Sequence, residues 1–355
     1  MKKKVLAVLL TVAMSTGLLA GCGSSSSSGS AASTSEASST AVSGGSSSGD
    51  TVVIGTQEMP NDEGIAKALD YFKEETGMNV EIKQFDSGKD VNTALASKSI
   101  DFGLFGSCPA SLAIAQGIDV KFIWIHEVLG PVESLVARSD EGITDVAGLK
   151  GKTIATPFAS TAHFSLLHAL ENAGLSESDV NLLDMQPSEI YAAWQNKQID
   201  ATYVWEPTLS SLTDATTIVT SADMAKAGYM TSNVELVRGD YAKEHPDVVT
   251  AYIKAVSKAV DLFQTNKEEA VSTIAKFMEL DEADAESQMS GSTWLSAKDQ
   301  LGSDYLGTSN SKGAVVQNLY DTATFLKDQG SITELPDKSV FEDAVDPEYI
   351  EKSLE

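Results

Sequence analysis

The chain has 355 residues, 42% of them hydrophobic, and its 51 acidic against 25 basic side chains give a formal net charge of −26. So acidic a surface excludes nucleic acid and anionic lipid as docking partners, although local N–H groups in a cleft can still hold a small anion. Only two cysteines occur, Cys22 and Cys108, which excludes a disulfide framework and a cysteine metal site; the length suffices for two lobes with separate cores.

The chain opens with Lys2, Lys3 and Lys4, an apolar run over residues 5–19, and then Leu19-Ala20-Gly21-Cys22. A basic start and an apolar stretch too short to span a bilayer make a secretory signal. Small residues ahead of a cysteine form a lipobox, so residues 1–21 are the expected lipoprotein signal peptide and Cys22 the lipidation site. Several acyl chains then anchor the protein to the outer face of the cell membrane, its one expected membrane contact. Loss of the three lysines takes the net charge from −26 to −29. From Cys22 to residue 50 the chain is almost all Ser, Gly, Ala and Thr, a disordered tether spanning roughly 30 Å.

Residues 52–55 read as the first buried strand, followed by a loop carrying Gln57 and Glu58. A helix is expected over 62–72, with Ile65, Leu69 and Phe72 on one face, and a strand over 80–85. That β-α-β order predicts a parallel sheet covered by helices. After Asp86-Ser87-Gly88 come a helix over 90–98 and a strand over 100–105. Gly106-Ser107-Cys108-Pro109 then opens another helix, with Pro109 expected at its first position. Strands over 120–125 and 132–137 follow.

Residues 153–156 read as a strand, Pro157 as the turn, and Ser160 and Thr161 as the start of a helix that runs on through Phe164, Leu167, His168 and Leu170. A helix starting at the carboxyl end of a strand aims free N–H groups and its positive dipole end at one spot, an anion site. A strand over 180–185, a helix over 189–196 and a strand over 199–204 lead to Trp205-Glu206-Pro207. Ala94, Leu95, Lys98, Ile100 and Asp101 recur as Ala193, Trp194, Lys197, Ile199 and Asp200 at identical spacing, which reads as two similar α/β lobes. From residue 246 on, amphipathic helices pack back on the first lobe.

The four histidines, His126, His163, His168 and His245, lack metal spacing, and no phosphate loop occurs. Cys108 and His163 are the one conceivable nucleophile–base pair, and nothing in the sequence orients the histidine. What remains is a set of cleft loops. Ser107, Ser160 and Thr161 put hydroxyls at two helix starts, while Glu58, Asp86, Glu133 and Glu206 supply acids and Phe158 and Trp205 aromatics. An acid and a Trp suit an ammonium, so the combination points to a small zwitterion with one anionic head.

At these residues the sequence resembles the substrate-binding proteins of ABC importers in the nitrate/sulfonate/taurine-binding family, and within it the taurine-binding branch. The resemblance lies in Phe85-Asp86-Ser87-Gly88, Gly106-Ser107-Cys108-Pro109, the segment TPFASTAHFSLL at 156–167, Ala192-Ala193-Trp194-Gln195, and Tyr203-Val204-Trp205-Glu206-Pro207. It continues through Glu244-His245-Pro246 and Phe325-Leu326-Lys327, over nearly all of 51–336. It implies an α/β periplasmic-binding-protein fold (type II): two lobes, each a mostly parallel sheet flanked by helices, joined by two hinge segments. Lobe 1 would comprise 51–136 and 236–355, and lobe 2 residues 137–235. It further implies a monomer without cofactor that delivers taurine or a related sulfonate to a permease and its ATPase.

By position, the resemblance implies that Ser107, Ser160, Thr161 and nearby amides take the sulfonate, beside Trp205 and an acid. Gln57, Cys108, Glu133, Phe158 and His163 complete the expected site. Two departures stand out: Glu206 where relatives tend to have Ala, and Asn233 where they have Asp. The acid that holds the amine is then expected at Glu206; the alternative is a changed ligand, such as another aliphatic sulfonate, nitrate or another small anion. Cys108, where relatives favour Ser, loses a hydroxyl donor. An enzyme on the same fold, or a lipoprotein sensor or adhesin, are the readings from other classes.

Overall fold

The computed structural model describes residues 51–355; the signal peptide, Cys22 and the tether lie outside the described residues. In chain order the first lobe opens with β1 (Thr51–Gln57), α1 (Asp62–Ala68), α2 (Tyr71–Thr76), β2 (Asn79–Phe85), α3 (Gly88–Ala96), β3 (Phe102–Gly106), α4 (Ser107–Ala115) and β4 (Val120–Leu129). The second lobe comprises β5 (Glu133–Arg138), β6 (Thr153–Thr156), α5 (Thr161–Asn172), β7 (Asn181–Asp184), α6 (Pro187–Gln195), β8 (Ala201–Trp205), α7 (Thr208–Ser211), β9 (Ala215–Thr220) and α8 (Ser221–Lys226). The chain then returns to the first lobe through β10 (Ser232–Arg238), α9 (Gly239–Glu244), α10 (Pro246–Thr265), α11 (Lys267–Met278), α12 (Glu282–Ser290) and β11 (Ser292–Thr293). Four more helices, α13 (Ala297–Gln300), α14 (Val315–Asp328), α15 (Lys338–Ala344) and α16 (Glu348–Ser353), follow. Among the described residues no helix is long and apolar enough to cross a membrane.

The first sheet has the order β11-β4-β10-β3-β1-β2 and the second β7-β6-β8-β5-β9. Each is mixed rather than mostly parallel. The β-α-β strands run together, but β5 is antiparallel to β8 and β9, and β10 is antiparallel to β3 and β4. A strand that enters a lobe from a crossing starts at the cleft end and so opposes the strands that finish there. The crossings also differ from expectation. All of β5 pairs within the second sheet, so the first crossing is at 130–132, and β10 belongs wholly to the first sheet, so the return lies at 227–231. Alternating apolar residues announce a strand without saying which sheet it joins.

Two local expectations are corrected. Asp70 adopts a left-handed conformation (φ 57°) and divides the helix expected over 62–72 into α1 and α2. Pro109 is the third residue of α4, not the first, a position where its missing N–H still costs no intrahelical bond. The segment forming β9 and α8 gave no sequence signal that was read.

The sequence echo has a structural cause. Lys98 and Lys197 both end their helices with positive φ (58° and 55°). Asp101 then accepts the Val53 N–H at 2.9 Å, and Asp200 accepts the Thr153 N–H at 2.8 Å. In each lobe this ties the helix exit to the first strand. An arginine closes each copy through its backbone: the Arg238 N–H donates to the Asp101 carbonyl at 3.0 Å and the Arg138 N–H to the Asp200 carbonyl at 2.9 Å.

Period-2 alternation builds the second lobe's core. Leu135, Ile154 and Tyr203 face Leu166 of α5, whereas their neighbours Val136, Ala155 and Val204 face Ile190 and Trp194 of α6. The first lobe has one larger core running from Val52 and Trp124 to Tyr252, Leu319 and Ile350. The helices after β10 thus brace the first lobe, as their amphipathic pattern predicts.

Candidate ligand-binding site

Three helix starts converge between the lobes. Ser160 caps α5: its hydroxyl accepts the His163 N–H at 3.1 Å and donates to the Pro157 carbonyl at 2.5 Å. The N–H groups of Thr161 and Ala162 are left without intrahelical acceptors. Opposite, Gly106 caps α4 with no side chain, leaving the N–H groups of Ser107 and Cys108 in the same condition. A Cβ on Gly106 would stand 2.8 Å from Thr161 Cγ2, and one on Gly88, the first residue of α3, would stand 2.6 Å from Pro109 Cγ. The helix ends approach this closely because neither glycine has a side chain.

The cleft so formed lies between the two lobes. Besides Gly88, Gly106, Ser160 and Thr161, its walls include Trp205, three amides (Gln57, Asn233, Gln288) and three carboxyl groups (Glu127, Glu133, Glu206), with no Lys, Arg or His among the described residues. Glu133 accepts from Thr161 Oγ1 at 2.5 Å and from Ser221 Oγ at 2.7 Å, yet burial pushes its pKa up to about 7. Glu127 is likewise raised by burial, against the hydrogen bonds from Ser292 and from Asn233 Nδ2 (2.7 Å). Glu206 accepts the Ser210 N–H at 2.9 Å through one oxygen. Gln57, only 5% exposed, makes no side-chain hydrogen bond among the described residues.

Seven of the expected residues meet here: Gln57, Glu133, Ser160, Thr161, Trp205, Glu206 and Asn233. The structure does not bring the others to the cleft wall. Glu58 and Asp86 are exposed, and Asp86 accepts the Ser188 hydroxyl of the other lobe at 2.9 Å. The Ser107 hydroxyl is buried and takes the Ser232 N–H at 3.3 Å. Cys108 lies fully buried in the first lobe's core, its pKa raised by that burial. Phe158 stacks on His163 with ring centroids 4.4 Å apart. Burial lowers His163 to about 4, and its Nδ1 accepts from its own turn, at Ala159 N–H (3.3 Å). No hydrogen bond joins Cys108 and His163 among the described residues.

Glu127 and Gln288 were missed. Glu127 is an acid next to His126 near the end of a mostly apolar strand, a signal that was there to read. In the ladder it stands directly opposite Asn233, so the position that departs from the family's Asp still has a carboxylate beside it. Gln288 lies on a helix of mostly polar residues far along the chain, where nothing local marks it.

Behind Glu127 lies a fully buried network. His126 Nδ1 meets Asp62 Oδ1 at 2.6 Å and Nε2 meets Glu235 Oε2 at 2.9 Å, while Tyr252 OH donates to Glu63 at 2.5 Å. Burial disfavours a charged imidazole, but Asp62 and Glu235 outweigh it and raise His126 well above 6.5. Oxygens of Glu63, Glu235 and a nitrogen of His126 lie within 4.8 Å of one another, although the sequence spacing gave no metal pattern. The protonated imidazole already links Asp62 and Glu235 and ties α1, β4 and β10 together at the back of the cleft.

Two α/β lobes, two crossings and a polar cleft between the lobes define a protein of the periplasmic-binding-protein fold. The alkanesulfonate-binding protein SsuA from Xanthomonas axonopodis pv. citri bound to MOPS shares this fold, with a TM-score of 0.67 at 24% identity over 83% of this chain and 97% of that one. Residues 64–270 match the NMT1/THI5-like family, and the chain belongs to it. It is 33% identical to the taurine-binding periplasmic protein of Escherichia coli (strain K12), over 79% of this chain and 87% of that protein. It is also 31% identical to a putative aliphatic sulfonates-binding protein of Bacillus subtilis (strain 168), over 99% and 97% of the two chains.

Proposed function

We propose that the protein is the extracytoplasmic binding component of an ABC importer that captures taurine, or a similar amino-sulfonate, between its lobes and does no chemistry on it. One observation carries this reading: the cleft brings helix N-termini together with three acidic side chains and, among the described residues, no basic one. A simple anion such as nitrate would take the helix N–H groups but bring no cation to Glu127, Glu133 and Glu206. A zwitterion supplies both charges. The sulfonate takes the open N–H groups at Ser107, Cys108, Thr161 and Ala162, and Trp205 covers the ammonium. Glu206 offers its second oxygen to the ammonium from the second lobe. Relatives named for taurine and aliphatic sulfonates support the same ligand class.

The lipobox at Cys22 supports anchoring at the outer face of the cell membrane, and the tether gives the folded part reach toward a permease. Thermal denaturation with a panel of taurine, alkanesulfonates, nitrate, bicarbonate and amino acids tests the function. A ligand at a hundred times its dissociation constant should stabilise by about 2.7 kcal/mol. We expect that shift from taurine; no shift with any sulfonate overturns the reading.

A further inference from the structure

We propose that Gln288, with Glu127, forms the subsite that reads the hydrogens on the ligand's ammonium, so that the protein selects a primary amine over its methylated forms. This rests on the amino-sulfonate reading above and adds which groups decide between such ligands.

Gln288 occupies an anomalous place. On α12 the buried residues are Ala285, Gln288 and Met289, the i, i+3, i+4 stripe where apolar side chains belong, while Glu282, Asp284 and Glu286 face solvent. The side chain is only 7% exposed, it lines the cleft, and its Oε1 is buried with no hydrogen-bond partner. A buried amide oxygen without a donor is a desolvation cost that nothing in the protein offsets. A side chain that lines the cleft with an acceptor unpaired among the described residues is completed by a ligand N–H.

The same short segment fixes Glu127. The Gly291 N–H donates to the Gln288 carbonyl at 3.1 Å, closing the end of α12, and Ser292 then pairs with Leu129 beside β4. The Ser292 hydroxyl donates to Glu127, and Asn233 donates to its other oxygen. Residues 288–292 therefore set an amide and a carboxyl group in the same wall. A carboxylate attracts any cation, methylated or not. A neutral amide oxygen has little to offer a cation that carries no N–H, so Gln288 supplies the discrimination.

Titration calorimetry with taurine and N,N,N-trimethyltaurine tests this, because the two share the sulfonate and the positive charge. Wild type should bind taurine at least tenfold more tightly. Gln288→Met, of similar length without an acceptor, should weaken taurine about tenfold and leave the trimethyl compound unchanged, collapsing the ratio. Gln288→Asn, which keeps a neutral amide acceptor one methylene shorter, should retain part of the preference. A steric pocket alone would keep the wild-type ratio in the Met variant, and that result overturns the proposal while leaving the amino-sulfonate reading intact. Failure of wild type to bind taurine at all overturns both.

Discussion

Glu133 begins the second lobe at the first crossing, where two hydroxyls donate to it and burial still raises its pKa to about 7. An unfolded glutamate titrates near 4.5, so between those values the folded chain holds a proton that the unfolded chain has released. Its contribution to stability is full below 4.5 and falls as pH rises through 7. His163 acts oppositely: its folded value of about 4 lies below the unfolded 6.5, so its contribution grows as pH rises between them. The two slopes offset each other in the wild type, and only a variant separates them. Glu133→Gln should gain stability relative to wild type between pH 5 and pH 8, read as the difference in urea midpoints; a difference that does not change with pH would contradict this. Residues of this kind were half legible in the sequence. Ser160 and Thr161 were readable because caps are local, and Glu133 because an acid at the head of an apolar run stands out. Gln288 was not, because its burial is decided by how α12 meets β4, far away in the chain.

At the scale of elements, the meeting of α4 and α5 was legible as two anion-type helix starts, but their contact was not. It rests on Gly106, whose missing Cβ admits Thr161. Gly106 has φ −64° and ψ 152°, an extended conformation any residue adopts, so alanine there should fold normally. The added Cβ would meet Thr161 Cγ2 at 2.8 Å and hold the helix starts apart. Gly106→Ala should therefore weaken taurine binding at least tenfold while moving the unliganded melting temperature by only a degree or two; unchanged affinity would remove the helix contact from the account. The crossings were misplaced for a related reason. Residues 132–137 and 233–237 carry clear strand patterns, yet β5 and β10 each join a sheet by pairing with strands distant in sequence. Periodicity gives a strand's faces and leaves its neighbours open.

For the whole molecule, the duplicated architecture was readable from five echoed positions, because Lys98 and Lys197, and Asp101 and Asp200, perform the same local task in each lobe. The charge layout of the cleft was only partly readable. Composition gave a net charge of −26 but not that, among the described residues, the cleft wall carries no basic side chain. That layout, helix starts beside three acidic side chains and no cation, is the central claim. Titration calorimetry at neutral pH with taurine and propane-1-sulfonate tests it most directly, since the second ligand keeps the sulfonate and exchanges the ammonium for a methyl group. The account predicts that taurine binds at least tenfold more tightly, and equal or tighter binding of propane-1-sulfonate would contradict it.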